Sequence, residues 1–154
     1  MIFQTFKPST SLKPFIQFYW IFELDSRNLV EPHRIVPTGC VELMFQYGDG
    51  LLKVKNNEIT AQPKSIITGQ LTDFYDVVQT GKTAFLSVLF KPHAAKIFFD
   101  LPINELANQN IDINLILKSE NKFIREQLAL AKSYEEKITI IEDFLLGHLS
   151  EEKL

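Results

Sequence analysis

Between Val41 and Tyr47 the residues VELMFQY alternate strictly, with Val41, Leu43, Phe45 and Tyr47 on one side of an extended chain and Glu42, Met44 and Gln46 on the other. A period of two is the mark of a half-buried strand. Pro37 and Gly39 before it, and Gly48-Asp49-Gly50 after it, preset or permit turn dihedrals. The strand is therefore expected to fold back on Leu51 to Lys55 as an antiparallel hairpin. Its second face decides what the rest of the chain has to do, because Glu42 lies there beside Met44. If that face meets water, Glu42 is an ordinary surface carboxylate; if the sheet curls round an interior, Glu42 becomes a carboxyl inside a cavity.

The neighbouring segments read the same way. Phe15 to Leu24, FIQFYWIFEL, places Ile16, Phe18, Trp20, Phe22 and Leu24 on one wholly apolar face and Phe15, Gln17, Tyr19, Ile21 and Glu23 on the other, which predicts burial of the first face and partial cover of the second. Asp25 to Asn28 is a turn cluster. Leu29 to Val36, carrying His33 and Arg34, is expected to be a strand that Pro32 confines to an edge or a bulge. Gly69 to Asp76, GQLTDFYD, brings Phe74 and Tyr75 to the start of a strand running through Val78, and TAFLSVLF at Thr83 to Phe90 forms another. Short strands with closely spaced turn signals predict an antiparallel sandwich or barrel over residues 1–90.

Residues 91–154 change character. Lys91-Pro92 opens a helical stretch over His93 to Phe99, Leu101-Pro102 breaks it, and Ile103 to Ala107 supplies one more turn. Glu120 to Ala131 forms an amphipathic helix, with Phe123, Ile124, Gln127, Leu128 and Ala131 on a common face. Ser133-Tyr134-Glu135-Glu136 is a capping box that starts the last helix. The stripe of that helix, Ile138, Ile141, Leu145 and Leu149, is widened by Ile140 and Phe144. Either the whole stripe is core, or Ile138, Ile141, Phe144, Leu145 and Leu149 offer a surface to a second copy of the chain. The fold class expected is α+β: an antiparallel β barrel or sandwich followed by a C-terminal helical segment packed on it as one structural unit. The sequence stops within Glu151-Glu152-Lys153 with no closing Gly or Pro, so a continuation is expected.

Composition excludes several functions. A net charge of -3 and a pI near 5.6 do not supply the basic stripe by which proteins hold nucleic acid. The N-terminus lacks a signal peptide, one cysteine cannot form an internal disulfide, and no apolar run is long enough to cross a bilayer, so a cytoplasmic location without membrane partners is expected. Cys40 reads as a small packing residue. His33, His93 and His148 lie at no ligand spacing, and no metal or other cofactor is expected. No catalytic motif is present, and the chain is not expected to be an enzyme.

A set of segments nevertheless points to a family. Tyr19-Trp20 at the end of an aromatic strand, PTGCVELMF at Pro37 to Phe45, Gly69 before an aromatic strand, FLSVLFKPHAAKIF at Phe85 to Phe98, LPINEL at Leu101 to Leu106 and the closing FLLGHL occur in an order that resembles the N-terminal domains of AraC-type bacterial transcriptional regulators, in the subset with a cupin-like sensor region. The resemblance covers nearly the whole chain. It implies a cupin-like sheet, a regulatory role in effector sensing or dimerisation, a homodimer in the intact protein, and contact with DNA only through helix-turn-helix units outside this chain. The histidine cluster of an active cupin enzyme is missing. Trp20, Glu42 and Met44 are the candidate lining of the interior, His33 and Arg34 candidate ligands of an anionic effector, and Tyr75 a candidate partner of Glu42. Two alternatives stand beside the sensor: a cupin-like small-molecule enzyme with Glu42 as base and His33 or Tyr75 as partner, and a ligand-free interaction domain whose interior is filled by its own Phe, Trp and Met side chains.

Overall fold

The computed structural model describes residues 1–25, 32–100, 103–117 and 119–149. Ten strands make two antiparallel sheets. The larger has the order β1 (Ile2–Phe6), β2 (Ile16–Leu24), β9 (Thr83–Phe90), β4 (Glu42–Gln46), β7 (Ser65–Thr68) and β10 (Asn110–Asp112); the smaller has β3 (His33–Ile35), β8 (Tyr75–Gln79), β5 (Leu51–Lys55) and β6 (Glu58–Ala61). Four helices follow or flank them: α1 (Ala95–Phe98), α2 (Asn114–Leu117), α3 (Ser119–Leu130) and α4 (Tyr134–His148), with a 3-10 turn at Ile103–Leu106. Among the described residues the strands form two facing sheets rather than one closed barrel. The expected boundary at residue 90 is crossed by β10, which comes after α1 and pairs with β7.

Register fixes what each face of the larger sheet carries. The pairings align Phe18, Leu89, Glu42, Thr68 and Asn110 in one row, Trp20, Ser87, Met44 and Ile66 in the next, and Phe22, Phe85 and Gln46 in a third. Because side chains alternate along a strand, all of these look toward the smaller sheet. Tyr19, Ile21, Leu43, Phe45, Ile67, Leu86 and Val88 look the other way, where they form one core with Ile124 and Leu128 of α3 and Ile138, Ile141, Phe144 and Leu145 of α4. Phe45 meets Phe144 edge-on at 5.6 Å, and the Tyr19 hydroxyl donates to Glu142 Oε2 at 2.9 Å.

Several expectations are corrected here. The faces of β2 are exchanged in burial: Tyr19 and Ile21 are fully buried under the helices, while Trp20 and Phe22 are half-buried. Ile16 also leaves the face of Trp20. It pairs with Phe90 while Phe18 pairs with Leu89, so a bulge at Gln17 turns it toward the helical side. Helix α1 is shorter than His93 to Phe99, and His93 itself adopts a left-handed φ of 65°. In the capping box the Ser133 hydroxyl accepts from the amide of Glu136 at 3.1 Å, but the Glu136 carboxylate reaches the amide of Lys132 rather than that of Ser133. Phe123, expected on the apolar face of α3, is exposed. The proposed dimer surface is not free: Ile138, Ile141, Phe144 and Leu145 are buried in the chain's own core and Leu149 packs against it.

Gly39 and Gly69 are among the glycines that geometry requires. Gly39, with φ at 77°, makes the turn into β4. Gly69 ends β7 against the 3-10 turn, where a Cβ would lie 2.0 Å from the backbone oxygen of Leu106. Gly69→Ala is therefore expected to cost about 1–3 kcal/mol through overpacking, read by chemical denaturation. Leu145→Ala should cost about 2–5 kcal/mol and leave the sedimentation coefficient of the folded protein unchanged; a change in oligomeric state with little loss of stability would restore the dimer surface.

Candidate functional site

Between the two sheets lies a cavity of about 570 Å³, within the range of small-molecule sites. One wall comes from the rows just described: Trp20, Phe22 and Phe85 from β2 and β9, with Phe3 of β1 beside them. Phe22 and Phe85 stack with ring centroids 5.2 Å apart, and Phe3 and Trp20 lie 5.7 Å apart. The facing wall comes from the smaller sheet, through Leu51 of β5 and Tyr75, Val77 and Gln79 of β8. The rim is formed by exposed residues that include Pro32, His33, Val36 and Thr38.

The polar groups gather along the side of the cavity formed by β4, β7 and β10. Glu42 and Thr68 are cross-strand neighbours, and Thr68 Oγ1 donates to Asn110 Oδ1 at 2.9 Å. From the opposite side the Gln62 amide donates to the Tyr75 hydroxyl at 3.5 Å and accepts from the Gln46 amide at 3.4 Å. Burial raises the Glu42 carboxyl above the usual carboxylate range. The hydroxyl of Ser87 pulls it partly back without completing a hydrogen bond of good geometry. Burial also raises the Tyr75 phenol and the Cys40 thiol, and the Glu42 charge adds to both rises. These side chains thus share one electrostatic environment.

All six residues singled out as ligand candidates, Trp20, His33, Arg34, Glu42, Met44 and Tyr75, line this cavity. Glu42 faces the cavity rather than bulk water, which resolves the choice left open by the sequence. Arg34 does not serve as expected. Its guanidinium pairs with Asp76 at 3.1 Å and lies 3.8 Å over the ring of Phe74. Asp76 alternates along β8 with Tyr75 and Val77, which face inward, so the charge of Arg34 is spent on the outer face of the sheet. His33 is exposed at the rim, 6.4 Å from the ring of Phe22. Phe85, Thr68 and Gln62 also line the cavity and were missed. The first two follow once the pairing of β2, β9, β4 and β7 is known. Gln62 sits just past β6 in a connection with no periodic signal.

The raised Glu42 carboxyl has a consequence for stability. Below the ordinary carboxylate range both folded and unfolded chains hold this proton and it contributes no pH dependence. Above that range the unfolded chain releases a proton that the folded chain keeps, so stability falls as pH rises toward the higher folded value. Glu42→Gln should therefore gain stability over the wild type progressively from acid toward neutral pH, with little difference at the acid end. Parallel denaturation curves at several pH values check this; a constant offset, or one that grows toward acid, would contradict it.

Among the described residues no helix is long and apolar enough to cross a membrane, and no three His, Cys, Asp or Glu side chains come together that could hold a metal ion. No curated protein matches the chain. A similar solved structure is described as Fe(II)-HppE with the alternative substrate (S)-1-HPP; the match has a TM-score of 0.42 and 9% identity, and covers 57% of this chain and 48% of that one. The match thus spans about half the length of HppE. That structure is described with a substrate, and the expectation that this chain is not an enzyme is withdrawn; the likeness itself assigns no activity to this chain. Residues 4–112, from within β1 to the end of β10, match the family described as Domain of unknown function (DUF6597). The chain belongs to the DUF6597 family.

Proposed function

We propose that the domain is a cupin-like small-molecule sensor, the effector-binding part of a transcriptional regulator of the AraC type. The observation that carries this reading is the cavity of about 570 Å³, with aromatic side chains along one wall and Glu42 among polar side chains beside it. An apolar cavity with a few convergent polar groups is the usual form of a ligand site. The sequence resemblance supports the regulatory part of the reading. The sheet supplies a route for the signal, because successive residues of β2 and β4 face opposite ways. Trp20, Glu42 and Met44 face the cavity, while Tyr19, Leu43 and Phe45 face the helices, where Tyr19 bonds Glu142 and Phe45 meets Phe144. A ligand that favours one arrangement of the first set shifts α4 through the second.

A second reading has its own observation. Glu42, its carboxyl raised by burial, lies in the same cavity as Tyr75, and a carboxyl raised in this way is suited to general acid or base catalysis. Turnover of a bound ligand that is lost in Glu42→Gln would favour it.

Trp20 is the only tryptophan and lines the cavity, so its emission reports occupancy. Titration with prodan, a neutral naphthalene ketone, is expected to quench Trp20 saturably, and Met44→Trp, which fills the interior, should abolish prodan binding. Absence of saturable binding, or binding unchanged in the filled variant, would contradict a ligand cavity.

A further inference from the structure

The charges around the cavity are unevenly placed. Glu42 is the only carboxylate-bearing residue among the described lining, and it makes no ion pair with a described residue. None of the cations nearby pairs with Glu42. Arg34 is held by Asp76 on the outer face, Lys53 shares the inward face of β5 with Leu51 and lies 4.6 Å over the Tyr75 ring without lining the cavity, His33 stands exposed at the rim, and the amino-terminal Met1, which also lines the cavity, is exposed. Tyr75 and Cys40, the other titratable groups on the cavity side, are neutral near physiological pH, being raised further from ionisation by burial.

An ionisable carboxyl in such a place costs free energy that a neutral amide would not. Gln62 already supplies an amide to the same cavity. For a ligand needing only a hydrogen bond, a second glutamine at position 42 would do equally well and cost less. The carboxyl is explained by a ligand that brings the opposite charge. Trp20, Phe22 and Phe85 add the second element, since the faces of aromatic rings attract cations.

We infer that the ligand is an organic cation, an amine whose ammonium group pairs with Glu42 and whose hydrocarbon part lies along Trp20, Phe22 and Phe85. This rests on the cavity being a ligand site. The balance of the binding step is simple. The amine arrives protonated, the Glu42 carboxyl pairs with it in the ionised form, giving to solvent any proton it still holds, and one ion pair forms with no change to the ligand. Affinity therefore weakens as pH falls and the carboxyl takes up its proton.

Three probes of matched size test the class: 2-phenylethylamine, 2-phenylethanol and 3-phenylpropanoate. Calorimetric titration at neutral pH and at a lower pH reads affinity and its pH dependence. At neutral pH the amine is expected to bind about tenfold more tightly than the alcohol, with that preference shrinking at the lower pH, and the propanoate more weakly than either. Glu42→Gln should remove the preference for the amine and its pH dependence while retaining the alcohol. Trp20→Leu, which keeps an apolar wall, should weaken the amine more than the alcohol. Equal or tighter binding of the alcohol or the propanoate overturns the cationic class and leaves the ligand cavity standing. Failure of all three probes to bind overturns both.

Discussion

Everything in this protein depends on a six-stranded sheet that must be covered on one face and open on the other. Helices α3 and α4 bury the first face through Tyr19, Leu43, Phe45, Ile67 and Leu86. The smaller sheet stands over the second face without filling the space between them. Polar side chains hold the helical layer in place as well as apolar ones do. Glu142 accepts from the Tyr19 hydroxyl and the Ser9 amide, Glu23 accepts from the hydroxyls of Tyr47 and Tyr134, and Lys137 donates to the carbonyl of Leu128 at the end of α3. Burial lowers the Lys137 ammonium from its usual value, with Glu23 and Glu136 acting against that shift. Such bonds discriminate among packings, because a helix that slips leaves buried polar groups unpaired.

The division between faces was largely legible in β4. Strict alternation put Leu43 and Phe45 on one side and Glu42 and Met44 on the other, and the structure keeps both sets together. In β2 the same reasoning misjudged burial. Both faces are rich in aromatic or aliphatic residues, so hydrophobicity alone could not say which one the helices would cover, and the bulge at Gln17 moved Ile16 across. Local sequence does not report strand partners. Thus β1, the short β10 and the contribution of Phe85 and Thr68 to the cavity depend on pairings between distant segments. Arg34 is a case of the same kind: a cation near a central turn looked available until its cross-strand partner proved to be Asp76. The stripe of α4 was correctly read as apolar, and its use within the chain followed only from the three-dimensional packing.

The chemistry of the cavity follows from where Glu42 falls in the register. Its row runs from Phe18 and Leu89 on β2 and β9 through Glu42 to Thr68 and Asn110 on β7 and β10, so Glu42 stands where the aromatic side of the sheet gives way to the polar one. Water is partly excluded from the carboxyl, and no described cation replaces it. This combination makes the site responsive to the charge of whatever enters. The family assignment names no activity for residues 4–112, so the functional reading rests on these side chains.

The central claim is that Glu42 is enclosed in a low-dielectric cavity rather than exposed on a sheet. Carbon-13 NMR of the glutamate side-chain carboxyls, followed through a pH titration, measures this directly. One carboxyl resonance is expected to titrate well above the rest and to disappear in Glu42→Gln. Titration of every glutamate within the ordinary carboxylate range would contradict it.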